Sequence, residues 1–374
     1  DFIAALDQAG ELVRIRERIP VHLEMCEIID RASKMPLGGP ALLFEQPVLR
    51  DGTVSTLPVG ANLFGSWRRM AMALGVDDLD QHGDRIRDLL KTQVPDGLLG
   101  KLQLLPKLLE VSKFTPRTQS GRRLCQVKLV KAVSNDLEVP ADAELVIEGY
   151  IDPREPLVTE GPFGDHTGYY SEADLYPQVH VTAVTMRENA VYGTTIVGRP
   201  PMEDVYLGGA TERIFLPLLQ FTTPEIVDYH MPAEGIFHNL VFVSIRKRYP
   251  GQAYKVMHAL WGQGLMSLAK VIVVVDDWVD VRNPQEAWWV ALNNIDPQRD
   301  VTFTMGPVDV LDHASRAFTY GSKMGIDATK KMPEEGFTRS WPEVITMEPA
   351  VVATVDAKWE RLGLGPLPTR RARP

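Results

Sequence analysis

Val271-Ile272-Val273-Val274-Val275-Asp276-Asp277 is the stretch on which the fold class of the last third of the chain turns. Five apolar residues run without polar alternation and stop at two carboxylates. An unbroken apolar run of this length predicts a strand buried on both faces. Upstream, residues 240–245 read as another strand and 251–262 as a helix. Downstream, Asn283-Pro284-Gln285-Glu286 opens a further helix, with Asn at the N-cap, Pro at the first position and Glu at the third. That helix carries Trp288 and Trp289. Strand and helix alternating at this spacing predict a sheet with helices packed on it, an α/β arrangement.

Outward from that core, Gly198-Arg199-Pro200-Pro201 breaks a strand-like region and a helix follows to about Gln220. Proline at its start and Glu203 and Asp204 in its first turn match the preferences of a helix N-terminus. It reads as a bridge between two domains. Ahead of it, residues 126–150 read as strands, and 179–185 alternate as an antiparallel strand does. Glu188-Asn189-Ala190 is a turn, which makes residues 191–197 the return strand. Residues 1–45 read as helix, short strand, helix and strand, with Gly10 a C-cap for the first. An amphipathic stretch at 98–111 is broken by Pro106. Residues 115–123 are basic and read as a linker or clamp. Gly321-Ser322-Lys323-Met324-Gly325 lacks the spacing of a phosphate loop and reads as a mobile loop. The tail, 366–374, is rich in Pro and Arg. There is no internal repeat.

At 374 residues the chain is long enough for two or three domains. It is 44% hydrophobic and 24% charged, an ordinary balance for a globular protein rather than a disordered one. A formal charge of -9 argues against a general nucleic-acid binder, which needs a basic surface. An anionic substrate needs only a local basic pocket. The two cysteines, Cys26 and Cys125, exclude a disulfide framework and point to a reducing, cytoplasmic setting. No apolar run reaches the ~18–20 residues that span a bilayer.

The chemistry concentrates in Glu160-Gly161-Pro162-Phe163-Gly164-Asp165-His166-Thr167-Gly168-Tyr169-Tyr170. Glycine and proline at this density exclude a regular helix and shape a loop. Loops that carry acids and an imidazole on a rigid scaffold are where catalysis tends to sit. Glu160 and Asp165, brought close, could not both ionise easily, so one would keep a proton and the pair would act as general acid and base. By residue type the same pair also suits a turn whose acids cap backbone N–H groups, a glycosidase or a divalent metal site. His166 alone is more often structural than catalytic. His180, on a strand, reads as packing. Tyr169 and Tyr170 suit either a pocket wall or a core. Asp276 and Asp277 stand where ligands bind in open α/β sheets, although capping or a salt bridge is the favoured reading. No Cys/His spacing supports zinc.

With these motifs assembled, the chain resembles the UbiD family of prenylated-flavin-dependent decarboxylases, closest to its 3-polyprenyl-4-hydroxybenzoate branch in ubiquinone biosynthesis. The resemblance rests on Ser134-Asn135-Asp136-Leu137-Glu138-Val139-Pro140-Ala141, on Glu144-Leu145-Val146-Ile147-Glu148-Gly149 and on the acidic loop. Gly198-Arg199-Pro200-Pro201, Phe215-Leu216-Pro217, Pro224-Glu225-Ile226-Val227-Asp228 and the run from Gly321 to Thr329 carry it further. Gly97-Leu98-Leu99-Gly100-Lys101 and Leu105-Pro106-Lys107 are similar too.

The resemblance implies an α+β and α/β multidomain fold. An N-terminal α/β domain would span residues 1–115. The remainder of a split β-barrel that binds the flavin would span 116–200, with a linker helix at 201–222. A C-terminal α/β domain at 223–340 and a tail at 341–374 complete it. The implied activity is reversible decarboxylation of aromatic or α,β-unsaturated acids. The implied cofactors are prenylated FMN and Mn2+, with K+ as an optional second ion. Asp165 matches the proton donor and Glu160 its partner carboxylate. The implied partners are a small aromatic acid, a flavin prenyltransferase as cofactor source, and further copies of the chain in a dimer or hexamer. A prenylated substrate would bring peripheral membrane association. The alternative is a non-catalytic subunit or scaffold without a cofactor site.

The sequence departs from the family in one respect. Family members carry a block between the equivalents of Cys125-Gln126 and Val127-Lys128 that holds the metal ligands, a catalytic arginine and most contacts to the flavin phosphate. No residue here is assigned to those roles. Either the gene is truncated or the natural polypeptide is longer than this sequence, and a first residue of Asp1 rather than methionine favours the second. Intact-mass measurement of the natural protein is expected to exceed 41.7 kDa. A mass near that value would establish a true deletion.

Overall fold

In the computed structural model, which describes residues 2–90, 118–119, 122–123 and 128–367, the chain divides into two units, Asp1–Leu218 and Leu219–Pro374. In the first unit, α1 (Phe2–Gln8) ends where the sequence places its cap. Gly10 takes a φ of 70°, and Glu11 N–H reaches back to Leu6 O at 2.9 Å. This is the left-handed C-terminal turn that glycine adopts without a steric cost. β1 (Leu12–Pro20) lies parallel to β2 (Ala41–Val48), with α2 (Glu24–Ser33) crossing between them. β2 pairs antiparallel with β3 (Val59–Ala61). Met25, Ile29 and Ala32 of α2 pack on Leu42, Phe44, Val59 and Ala61, which buries the helix's apolar stripe against the sheet. Ser66 caps α3 (Trp67–Leu74) by accepting from Arg69 N–H. Next comes α4 (Asp80–Leu90).

The amphipathic stretch at 98–111 lies outside the described residues. So does most of the basic segment at 115–123, apart from the short antiparallel pair β4 (Thr118–Gln119) and β5 (Arg122–Arg123). From residue 128 onward the strands form separate ladders. β6 (Leu129–Lys131) pairs with β7 (Glu138–Pro140). β8 (Leu145–Tyr150) pairs with β11 (His180–Met186). β9 (Val158–Glu160) pairs with β10 (Asp174–Tyr176). No closed barrel forms among the described residues. Glu148 ties two of these pieces together. Its buried carboxylate accepts from Val133 N–H at 2.7 Å, and from Ser134 N–H and Oγ at 2.6 Å each. The hydroxyl and the two N–H donors hold it below the usual carboxylate range.

The turn at residues 188–190 forms as read, with Asn189 at a φ of 58°. The strand after it does not return to β11. β12 (Tyr192–Thr194) instead lies parallel to β3 and completes a sheet of order β1-β2-β3-β12. Ala190 is buried, and a Cβ on Gly60 would sit 3.3 Å from Val191. Packing on the first sheet thus outweighs the local hairpin.

α5 (Asp204–Thr222) spans the division between the units. The second unit is built on a sheet of order β13-β14-β15-β17-β16, formed by β13 (Ile226–His230), β14 (Leu240–Ile245), β15 (Val271–Asp276), β16 (Val301–Pro307) and β17 (Tyr320–Asp327). The central three strands are parallel and both edges antiparallel. α6 (Gln252–Trp261) and α7 (Pro284–Asn294) are the helices read from the sequence. Phe242, Val273 and Val275 of the sheet meet Ala287, Val290 and Ala291 of α7 in one buried cluster. Asn283 occupies the N-cap of α7, but its side chain makes no capping bond.

The Gly321–Gly325 motif is not a mobile loop. It lies within β17, between β15 and β16. Glycine serves packing here, since a Cβ on Gly325 would lie 2.5 Å from Met257 Sδ. The two aspartates after β15 follow the structural reading. Asp276 Oδ2 accepts Lys330 N–H at 2.8 Å, and Asp277 Oδ2 lies 3.4 Å from Arg246 Nε. Around them Lys247 meets Glu335 at 2.6 Å and Lys331 meets Asp327 at 3.0 Å, all four side chains buried or nearly so.

Lys323, buried on β17, donates instead to the carbonyls of Ser267 at 2.5 Å and Ala269 at 2.9 Å. Burial lowers its pKa from 10.5 to about 8. Between those two values the unfolded chain holds a proton that the folded chain has released, so stability rises with pH across that window. Urea melts from pH 7.5 to 10.5 are expected to show this rise, and Lys323→Met to flatten it.

Candidate active site

The acidic loop is a hairpin drawn tight by its own backbone. β9 ends at Glu160, opposite Asp174 of β10. Ser171 then closes on Phe163 twice, donating N–H to Phe163 O at 2.8 Å and accepting Phe163 N–H on Oγ at 3.1 Å. Gly164 bridges to Tyr170, and Gly168 N–H meets Asp165 O at 2.9 Å to form the tip. Gly168 is needed on two counts. Its φ is 77°, and a Cβ there would lie 3.2 Å from Arg199 Cα. The Gly198-Arg199-Pro200-Pro201 motif is thus the floor against which the acidic loop rests.

Asp165 is half-buried at the tip. Its Oδ1 accepts His166 N–H at 2.6 Å and lies 3.1 Å from His166 Nδ1. Glu160 stands exposed on the ladder, and no hydrogen bond joins it to Asp165 among the described residues. Tyr169 and Tyr170 are exposed as well. His180 packs as its strand position suggests. Its ring stacks on Tyr150 with centroids 4.9 Å apart, and its Nε2 lies 2.5 Å from Glu155 Oε2.

Two residues read only as helix-start acids have larger roles. Glu203, 2% exposed, accepts Phe64 N–H at 2.7 Å. Burial pushes its carboxyl up, while the Phe64 N–H and the Arg69 charge pull it back. Arg69, 1% exposed, donates to Glu11 Oε2 at 3.1 Å and Gly39 O at 2.8 Å. Asn62 beside it donates to Gly38 O and Pro40 O. Arg69 Nε and Nη2 and Asn62 Oδ1 are buried without a protein partner, a set that bound water would satisfy. Asp204, the next residue, is half-buried. Burial pushes its carboxyl up, Val205 N–H and His166 pull it down, and the Asp165 charge pushes it up again. An imidazole therefore lies within electrostatic reach of two carboxylates, Asp165 and Asp204, a grouping able to hold and move a proton. The acids of Pro201-Met202-Glu203-Asp204 also satisfy a helix dipole, so the sequence carries no signal that they are buried.

The described residues do not fit a flavin. Residues 129–186 form open two-stranded ladders, with Ile147 68% and Val184 53% exposed where a cradle would bury them. No metal or flavin ligand is assigned to them.

Three profiles of one family match the chain. They are the N-terminal domain of 3-octaprenyl-4-hydroxybenzoate carboxy-lyase (UbiD) at residues 3–88, its Rift-related domain at 121–200 and its C-terminal domain at 205–328. An uncharacterised protein of Aquifex aeolicus is 42% identical over 97% of this chain and 98% of its own length, and one of Archaeoglobus fulgidus is 35% identical with the same coverage. These alignments run over 481 and 479 residues against the 374 of this chain, so each relative carries residues without a counterpart here. Among solved structures, vanillic acid decarboxylase of Sedimentibacter hydroxybenzoicus in its closed form has a TM-score of 0.76 at 22% identity, covering 97% of this chain and 98% of that one. The UbiD-class enzyme HmfF of Pelotomaculum thermopropionicum, solved with FMN, has a TM-score of 0.69 at 24% identity, covering 96% and 99%. Both likenesses are of fold.

Removing Arg69 would take a donor from Glu11 and from Gly39 O and a stabilising positive charge from Glu203. Arg69→Met is expected to cost about 1–3 kcal/mol in a urea melt, the usual penalty for leaving a buried polar group unbonded. Adding Glu203→Gln is expected to recover part of that loss.

Proposed function

The chain belongs to the UbiD family, and we propose that it is a carboxy-lyase acting reversibly on an aromatic acid of the polyprenyl-hydroxybenzoate kind or on an α,β-unsaturated acid. The observation that supports this most is Asp165, held at a hairpin tip with its carboxylate on His166, inside the stretch that matches the family's Rift-related domain. In this reading the bond between the substrate carbon and its carboxylate breaks, CO2 leaves, and the electron pair stays with the substrate. Asp165 delivers a proton to that carbon and is reprotonated through His166. Glu160, the other carboxylate, adjusts the charge around it. Prenylated FMN is the family's electron sink. The described residues form no cradle for it.

A role in quinone biosynthesis, Mn2+ as a further cofactor, assembly into dimers or hexamers and a cytoplasmic location belong to the same proposal. Among the described residues no helix is long and apolar enough to cross a membrane. A second reading, a non-catalytic subunit, draws support from the open ladders.

Co-expression with a flavin prenyltransferase separates the two. Decarboxylase function predicts flavin absorbance in the purified protein and CO2 release from the acid. Asp165→Asn is then expected to lose about 10²- to 10⁴-fold in turnover, with an unchanged circular dichroism spectrum. A protein that takes up no flavin is the subunit, and full activity in Asp165→Asn would remove the assignment of the proton donor.

A further inference from the structure

An apolar pocket of about 300 Å3 opens in the first unit, between α2 and the sheet. That is the low end of the ~300–1,000 Å3 that small ligands occupy. Met25, Ile29 and Val59 form its buried floor, and Leu49 and Tyr192 stand exposed at its mouth. Among the described residues no charged side chain and no residue of the acidic loop lines it, so it is a site apart from Asp165. Ser55 turns its hydroxyl onto its own loop, donating to Leu57 O at 3.1 Å and accepting Leu57 N–H at 3.0 Å. The interior therefore offers hydrocarbon contact and almost no hydrogen bond.

The rim is basic where the interior is apolar. Val21 and Leu49 both line the pocket, on segments held side by side by Val21 N–H on Val48 O at 2.9 Å. The next residue on each segment, about 3.8 Å along the chain, is His22 on one and Arg50 on the other. Both are exposed, and Arg50 Nη2 lies 3.5 Å from His22 Nδ1, so the two side chains meet at the rim. Among the described residues no carboxylate pairs with Arg50. The adjacent Asp51 is turned elsewhere, its Oδ1 accepting Thr53 N–H at 2.9 Å and Thr53 Oγ1 at 2.7 Å. A guanidinium left without a counter-charge at the lip of an apolar pocket suits an amphiphile with an anionic head.

We propose that this pocket binds the saturated acyl chain of a fatty acid whose carboxylate sits on Arg50 and His22, as a bound ligand rather than a substrate. The tail leaves water against Met25, Ile29 and Val59. The head stays at the exposed rim, where it keeps part of its hydration and accepts charge-assisted hydrogen bonds. Neither half of the site depends on the decarboxylase reading.

Calorimetric titration of the intact protein with decanoate, decanol and acetate tests both halves. One decanoate per chain is expected, and no binding of acetate. Decanol is expected to bind about 10-fold more weakly, the usual worth of a hydrogen bond to a charged group. Arg50→Gln is expected to bring decanoate to the decanol value. Cys26 lines the pocket, and Cys26→Trp, which narrows it, is expected to weaken both ligands about 10-fold or more. Decanol binding as tightly as decanoate, or Arg50→Gln without effect, overturns the placing of the head. No decanoate binding, uptake of several molecules per chain, or unchanged affinity in Cys26→Trp overturns the pocket. Where Cys26→Trp does not fold, maleimide labelling of Cys26 in the unsubstituted protein takes its place. Decanoate is then expected to slow labelling about 10-fold, and equal rates with and without it overturn the pocket.

Discussion

The burial of Glu203 is the constraint on which the candidate site depends. Its carboxylate leaves water to accept Phe64 N–H, and Arg69 accompanies it into the interior. A carboxyl taken that deep needs bonds to offset its lost hydration, and Phe64 N–H serves one oxygen while Glu203 Oε2 has no protein partner among the described residues. The arrangement leaves little freedom at the start of α5. Asp204 follows directly, and Arg199 sits four residues before Glu203, so both are set by the same anchor. Through Arg199 the anchor reaches Gly168, and through Asp204 it reaches His166 and Asp165. The acidic loop has almost no core of its own, yet its tip is fixed from below.

The second unit meets the same problem on a larger scale. Its sheet buries Lys247, Lys323, Lys331, Asp300 and Asp327, which a purely apolar core would exclude. Most of these charges find opposite charges at the carboxyl end of the parallel strands, where Lys331 joins Asp327 and Asp300. Lys323 finds only carbonyls. The sequence Lys-Met-Gly-Ile-Asp-Ala-Thr-Lys-Lys at 323–331 therefore reads as polar while forming one of the most buried parts of the unit. Asp276 and Asp277 belong to this bonded edge, which removes the reason to see a ligand site in them.

In the first unit, the strands of residues 129–186 pair only two by two among the described residues. Among the described residues, each ladder of residues 129–186 satisfies the backbone of one neighbour and leaves apolar side chains in water. Related chains carry residues that this one lacks. The two facts agree, because strands that belong to a larger barrel would expose these same faces when the rest is absent. The loop chemistry survives in that setting because its hydrogen bonds are local and its floor comes from the residues leading into α5.

Several features were legible from residue order alone. Unbroken apolar runs gave β14 and β15, glycine gave the C-terminal turn at Gly10, and glycine and proline marked the acidic loop. Each depends on forces that act within a few residues: steric limits on φ, the period of burial, the shape of a turn. What remained hidden depends on contacts distant in sequence. The strand at 192–194 was visible as a strand, but its partner, Val59–Ala61, was not. Gly321–Gly325 looked like a loop because glycine and lysine seldom lie in a sheet centre, and only the packing of Met257 makes them fit there. Residue types named Glu160 and Asp165 as a pair, whereas the structure sets Asp165 with His166 and Asp204 and leaves Glu160 in solvent. The sequence by itself determined most element types and the family, and it marked acids able to carry a proton. Only the tertiary structure decided which of those acids leave water, because desolvation is set by whatever packs around a group and no local pattern records it.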